Sequence, residues 1–223
     1  DGPPEKRLLL TTKALGFDLT RPHLPRPVEL PVARLGFGYG PLDLPPSHDS
    51  FPRNVVAEGR LYRLTRDIRA EAGAANHLLA AGFQRLVHYV SPASNGVGRG
   101  DFILPPRDAD LDWIEVVTNL VPALRAQGWV VTIAPDFPIQ LAEPEGDIEA
   151  RLREGSGIDW FELELGAVVD GERVDLLPLL LRLIAGGKGA ALVEHYEDDE
   201  PFLLPLPDGR LLLFKGAEPG PQA

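Results

Sequence analysis

The chain has 223 residues, 44% hydrophobic and 25% charged, proportions ordinary for a soluble globular protein of one large or two small domains. Its formal charge of −11 argues against a surface that grips nucleic acid unaided, because non-specific affinity comes mainly from Lys and Arg on phosphates. Zero cysteines exclude disulfides and thiolate metal sites, and no apolar run approaches the roughly 20 residues of a membrane span.

The chain opens at Asp1 and contains no methionine, which reads as a segment of something longer, with 217–223 as a flexible tail. Without cysteines the protein is held by its core alone, which suits the cytoplasm; Lys occurs only at 6, 13, 188 and 215, and the dominance of Arg, Ala, Leu, Gly and Pro fits a GC-rich bacterial genome.

Residues 7–12 read as a buried strand, and Val28, Leu30 and Val32 alternate as a second one. Pro27 and Pro31 assign that second strand to a sheet edge, since proline cannot donate to a ladder. Residues 36–50, dense in Gly and Pro, read as an irregular loop or linker. Their glycines do not have the spacing of a dinucleotide fingerprint. Residues 55–64 form the next organised piece, with Glu58-Gly59 as its turn and a short strand around Tyr62.

Thr65 is placed to cap a helix whose apolar face is Ile68, Ala72, Ala75 and Leu79. Gly82 ends it at the position after the cap, with Phe83 supplying the closing apolar contact. Residues 83–90 follow as a strand and 91–101 as a loop. The glycines at 96, 98 and 100 do not make a phosphate cradle, because no helix opens behind them. Residues 102–104 read as strand.

A second helix spans 111–127, with Trp113, Val117, Leu120 and Leu124 inward and a kink or split at Pro122. Gly128 ends it, and 129–133 reads as a strand buried on both faces. Residues 143–156 are a polar surface connection with one helical turn over 148–153.

The most legible stretch is 157–184. Phe161, Leu163 and Leu165 alternate with Glu162 and Glu164, Asp170-Gly171 marks a tight hairpin turn, and Val174 resumes the strand. Asp175 caps an apolar helix over 176–184 that stops at Gly186-Gly187. A last hairpin pairs 202–206 with 210–214 across Pro207-Asp208-Gly209. The fold class is therefore α/β or α+β, a mixed sheet with at least three helices and C-terminal β-hairpins. Its divisions are 1–55, a β-rich segment; 56–142, an α/β lobe; 157–216, a hairpin-helix-hairpin lobe that is either separate or one domain with 56–142; and the tail.

Searches for catalytic patterns give little. Gly186-Gly187-Lys188-Gly189 is too short for a nucleotide loop, and there is no GxSxG, HExxH or cysteine nucleophile. Glu194, His195, Glu197, Asp198, Asp199 and Glu200 lack calcium-loop spacing and read as a solvated acidic loop. Asp159, Glu162 and Glu164 read as a wet strand face and not as an acid/base set. No catalytic, nucleotide-binding or metal residue is assigned. The series Arg60, Arg63, Arg66 and Arg69 is a candidate contact for phosphate or an acidic partner, with pairing to Asp67 and Glu71 as the competing role. Trp160 is either a core anchor or an exposed docking residue.

The run Asp159-Trp160-Phe161, the Asp170-Gly171 turn, the helix after it and Leu206-Pro207-Asp208-Gly209-Arg210 occur in an order that resembles the helicase-associated region upstream of the motor in bacterial Swi/Snf-type (sucrose-non-fermenting) helicases. Residues 61–71 and 124–131 resemble further pieces of that region, so the likeness reaches from Leu61 to Phe214. The resemblance implies a non-catalytic accessory module. ATP and magnesium would belong to a motor placed C-terminal to it, and DNA would be reached through the parent protein. Two alternatives are a module that touches DNA directly through the arginine series and a free-standing α/β small-molecule-binding domain using the glycines at 96–100.

Overall fold

The computed structural model describes residues 3–15, 28–49, 51–90, 97–105, 113–146, 148–154, 161–185 and 202–214. They belong to two compact units, Asp1–Ile139 and Gln140–Ala223.

The first unit is built on a long hairpin, Glu5–Leu15 (β1) against Val28–Tyr39 (β2), antiparallel in register from Glu5 opposite Gly38 to Leu15 opposite Val28. Leu42–Leu44 (β3) turns back on the far end of β2. Arg53–Ala57 (β4) and Arg60–Leu64 (β5) form a separate two-stranded hairpin. Ile68–Ala80 (α1) follows, then the short strands Gln84–Arg85 (β6) and Asp101–Ile103 (β7). A helical stretch ending in Val121–Ala126 (α2) leads to Val130–Ile133 (β8). The sheet order is β6-β7-β2-β1-β8, with β3 also on β2, and β8 lies parallel to β1. The α+β form of the expected mixed sheet is thus the one adopted, and the N-terminal strands share a sheet with β8.

Alternation divides this sheet cleanly. Leu8, Leu10, Ala33, Leu35 and Phe37 are buried on one face, while Arg7, Leu9, Arg34 and Gly36 occupy the other. Helix α1 lies on the first face: its Glu71 meets Tyr39, and its His77 ring stands 5.9 Å from Trp129, over which Lys6 also sits. Phe83, Trp113 and Phe137 make an edge-to-face series there, with centroids 5.7 and 5.3 Å apart.

Several local expectations are corrected. Strand β2 has neighbours on both sides and is not an edge strand; it accommodates Pro31 because β7 pairs only with Ala33 and Arg34. The Gly-rich segment at 36–44 is strand and hairpin, since Gly36 and Gly38 give room on the sheet face where the Arg7 guanidinium lies 2.9 Å from a Cβ placed at Gly38. The cap of α1 is Asp67, whose Oδ1 accepts from the Ala70 N–H at 3.0 Å, and not Thr65. The buried side of α1 is Glu71, Ala74, Ala75 and Leu78, one position away from the expected face. The segment expected as a strand over 83–90 keeps only β6 before a 3₁₀ turn, Leu86–His88. Strand β8 is not buried on both faces: Val130, paired with Arg7, is exposed because it lies on the sheet face opposite α1.

Both helix stops behave as composition required. Gly82 (φ 97°) and Gly128 (φ 79°) take the left-handed position, and Phe83 and Trp129 donate N–H back to Leu78 and Leu124 while burying their rings. The expected break at Pro122 becomes a π-helical turn, Val116–Leu120, immediately before it. The wider turn absorbs the carbonyl that proline leaves without an N–H.

The second unit contains Leu141–Ala142 (β9), the meander Glu149–Glu154 (β10), Phe161–Val169 (β11) and Glu172–Asp175 (β12), the helix Leu177–Ala185 (α3), and Phe202–Pro205 (β13) with Leu211–Phe214 (β14). The order β13-β14-β9 forms a second small sheet. Residues 149–154 are strand and not helical turn, because they pair in register with β11. Asp170 and Gly171 both have positive φ, as the tight turn demands, and the Asp175 carboxylate accepts from the Leu177 N–H at 3.1 Å. Ala142, Ala167, Val169, Leu176, Leu204, Leu206 and Leu212 form the core. Leu163, expected inward, is exposed near the strand's beginning. Arg210 joins the two hairpin turns through Asp208 and Asp170.

Candidate partner-contact surface

The four arginines do not form one stripe. Arg60 and Arg63 are three residues apart in β5 and therefore project from opposite faces of the hairpin. Arg69 is exposed in the first turn of α1. Arg66 is withdrawn: its Nε and Nη2 donate to Glu71 at 2.8 and 2.7 Å, and its Nη2 also donates to the Pro45 carbonyl at 2.5 Å. Pairing with Glu71 is therefore the role Arg66 takes, while Asp67 serves as the helix cap.

Glu71 is 2% exposed and anchors more than Arg66. It accepts from the Tyr39 hydroxyl at 2.7 Å and the Ser47 N–H at 3.3 Å, and the Tyr39 oxygen in turn accepts from the Asp67 N–H at 2.9 Å. Burial, then the bond to Glu71, pushes the Tyr39 phenol up to about 12. Asp101 is the second buried carboxylate, also 2% exposed. It accepts from Lys13 Nζ at 2.7 Å, Arg34 Nε at 2.9 Å and the Gly98 N–H at 2.9 Å. Burial opposes its ionisation, but those donors together outweigh it and hold the carboxyl below its ordinary value. Sequence reading singled out neither Tyr39 nor Asp101; Asp101 sits next to a glycine run, the one signal it offered.

The β4–β5 hairpin exposes what a folded surface ordinarily hides. Val56 and Leu61 are opposite one another in register and 68% and 70% exposed, and Phe51 just before β4 is 78% exposed. Asn54 and Arg63 share the Val56 and Leu61 face, whereas Val55, Ala57, Tyr62 and Leu64 on the other face are half-buried. Arg63 flanks the exposed pair on its own face, while Arg53 and Arg60 project from the other face and Glu58 sits at the turn. Arg63 also lines a cleft of about 590 Å³ with Tyr39, Tyr62 and Thr65.

Trp160, Asp159 and the acidic run 194–200 lie outside the described residues. Glu164 makes a long ion pair with Arg173, 3.9 Å. Among the described residues, no group of three or more His, Asp or Glu is placed to hold a metal, and no helix is long and apolar enough to cross a membrane. Comparison with family models, curated proteins and solved structures gave no match.

Proposed function

We propose that this chain is a non-catalytic accessory module of a bacterial, cytoplasmic Swi/Snf-type ATP-dependent DNA helicase or translocase, supporting or regulating a motor that lies C-terminal to it in the same polypeptide. The order of the turn and helix motifs from Leu61 to Phe214 motivates the reading. The observation that carries it is the β4–β5 hairpin, which presents Val56 and Leu61 side by side with Arg63 on one exposed face, on a chain of net charge −11. Contiguous exposed apolar groups with a polar rim are what a protein partner buries. The two buried carboxylates fit the same reading, because Glu71 and Asp101 each accept from cations and backbone N–H groups of the fold itself.

The test is to mix the chain with its motor, expressed separately, and follow co-elution and ATP hydrolysis. Association with a changed ATPase rate is expected; hydrolysis of ATP by the chain alone, or a motor indifferent to it, overturns the proposal. Direct DNA contact is the second reading, favoured by the exposure of Arg60, Arg63 and Arg69. It requires gel retardation by the chain alone at low salt that fades steeply as salt rises.

A further inference from the structure

The sheet face that carries Arg7, Leu9, Arg34 and Gly36 is sealed at one end and open at the other. At the sealed end Leu15 and Val32 pack with Leu86, Val90, Val97 and Ile103. At the open end lies a concavity of about 440 Å³, floored by Leu9, Gly36 and Val130 and walled by Leu44 and Gly100. Gly100 fixes one wall directly on the sheet: a Cβ there would stand 2.4 Å from the Leu35 carbonyl oxygen, whose own N–H donates to the Gly100 carbonyl at 2.8 Å.

The two ends of this concavity differ in charge. At one end Arg34 is half-exposed, and its Nε is held by buried Asp101, which Lys13 and the Gly98 N–H orient in turn. Its terminal amines have no hydrogen-bond partner among the described residues. The guanidinium is therefore oriented in advance, with a two-nitrogen edge left over, which suits a planar carboxylate. At the other end Arg7 is shared between two carboxylates, Glu5 at 2.6 Å and Asp43 at 3.5 Å, and Asp43 is largely exposed. There the surplus is negative.

We propose that this concavity binds a small amphoteric molecule: a carboxylate on Arg34, an ammonium or hydroxyl donor on Asp43, and a short apolar chain along Leu9, Gly36 and Val130. Asp101 acts as a positioning residue for Arg34. The site is independent of the accessory-module reading and would stand if that reading failed.

Calorimetric titration of the intact chain with 6-aminohexanoate, hexanoate and hexylamine tests it. Saturable binding of 6-aminohexanoate is expected, weakened by salt, with hexanoate about tenfold weaker for want of one charge-assisted contact. Arg34→Gln should weaken 6-aminohexanoate and hexanoate about tenfold or more. Asp43→Asn, at an exposed side chain, should bring 6-aminohexanoate down to the level of hexanoate. No saturable binding, or binding that Arg34→Gln leaves intact, overturns the proposal. If Arg34→Gln fails to fold, Asp43→Asn decides, and an unchanged preference for 6-aminohexanoate over hexanoate also overturns it.

Discussion

The Arg66 guanidinium meets the Glu71 carboxylate edge to edge, Nε on Oε1 and Nη2 on Oε2, with both side chains nearly buried. Five residues separate them, so the pair spans the entry of α1 and ties the connection after β5 to the first turn of the helix. A carboxylate in that turn also faces the positive end of the helix dipole.

Removing one member of this pair leaves the other charged in a site that water scarcely reaches. Arg66→Ala is expected to cost about 3 kcal/mol, read as a lower urea midpoint at constant slope. Arg66→Lys should recover part of it, since an ammonium replaces the charge but not the fork. A loss below about 0.5 kcal/mol for Arg66→Ala, the size of an exposed pair, contradicts the buried role.

Asp101 gives the acid limb of stability. Its folded pKa lies below its ordinary value of 3.8, so in acid the unfolded state takes up the proton first and stability falls with pH. The contribution is full above the unfolded value, about 4, and disappears as pH drops through the folded one. Asp101→Asn should lower stability at neutral pH by about 3 kcal/mol and flatten the profile below about pH 5. Denaturation at several pH values checks this, and an acid limb parallel to that of the unaltered protein assigns it to other carboxylates.

Tyr39 acts at the opposite end of the scale. With its phenol raised to about 12, the folded state keeps the proton that the unfolded chain releases near its ordinary 10.0. The resulting stability is present below that ordinary value and is lost as pH rises through the folded one. Tyr39→Phe removes the bond to Glu71 and the acceptor for the Asp67 N–H, an expected loss of about 1 to 2 kcal/mol at neutral pH. Phenolate absorbance followed in the folded protein should lack one tyrosine's titration near pH 10; four normal titrations would refute the raised value.

Turns and helix stops were legible because a single residue's chemistry decides them. Gly82, Gly128, Asp170-Gly171 and Pro207-Asp208-Gly209 all sit where their conformational freedom predicts. Pairing decisions were not legible in the same way. Residues 149–154 carry ordinary helix formers, and only the facing strand at Phe161–Val169 makes them extended. The face of α1 was missed by one position because Glu71 reads as a solvent residue until Arg66, Tyr39 and Ser47 are brought to it from elsewhere in the chain. Of the arginine series, spacing found the positions but not that strand alternation splits Arg60 from Arg63.

Glycines separate local from non-local constraint. Gly82→Ala meets nothing within 4 Å and suffers only from positive φ, an expected cost of about 1 kcal/mol. Gly100→Ala drives a Cβ into the Leu35 carbonyl, and the displaced backbone should cost about 2 to 3 kcal/mol. Thermal melts of the two variants should rank in that order, and a reversed ranking would show that the 98–100 loop does not press on β2.

The hairpin face separates partner binding from folding. Val56 and Leu61 face each other across β4 and β5 and are already mostly in water, so replacing both with serine removes little buried area. Stability should change by less than about 0.5 kcal/mol for each. Association with the proposed motor partner should nonetheless weaken about tenfold or more, because the same two side chains would lose water on docking. Arg63→Ala, on the same face, should lower the association rate more than it raises dissociation, and its effect should shrink in high salt. A double serine variant that melts normally and still binds the motor with full affinity places the contact elsewhere on the molecule.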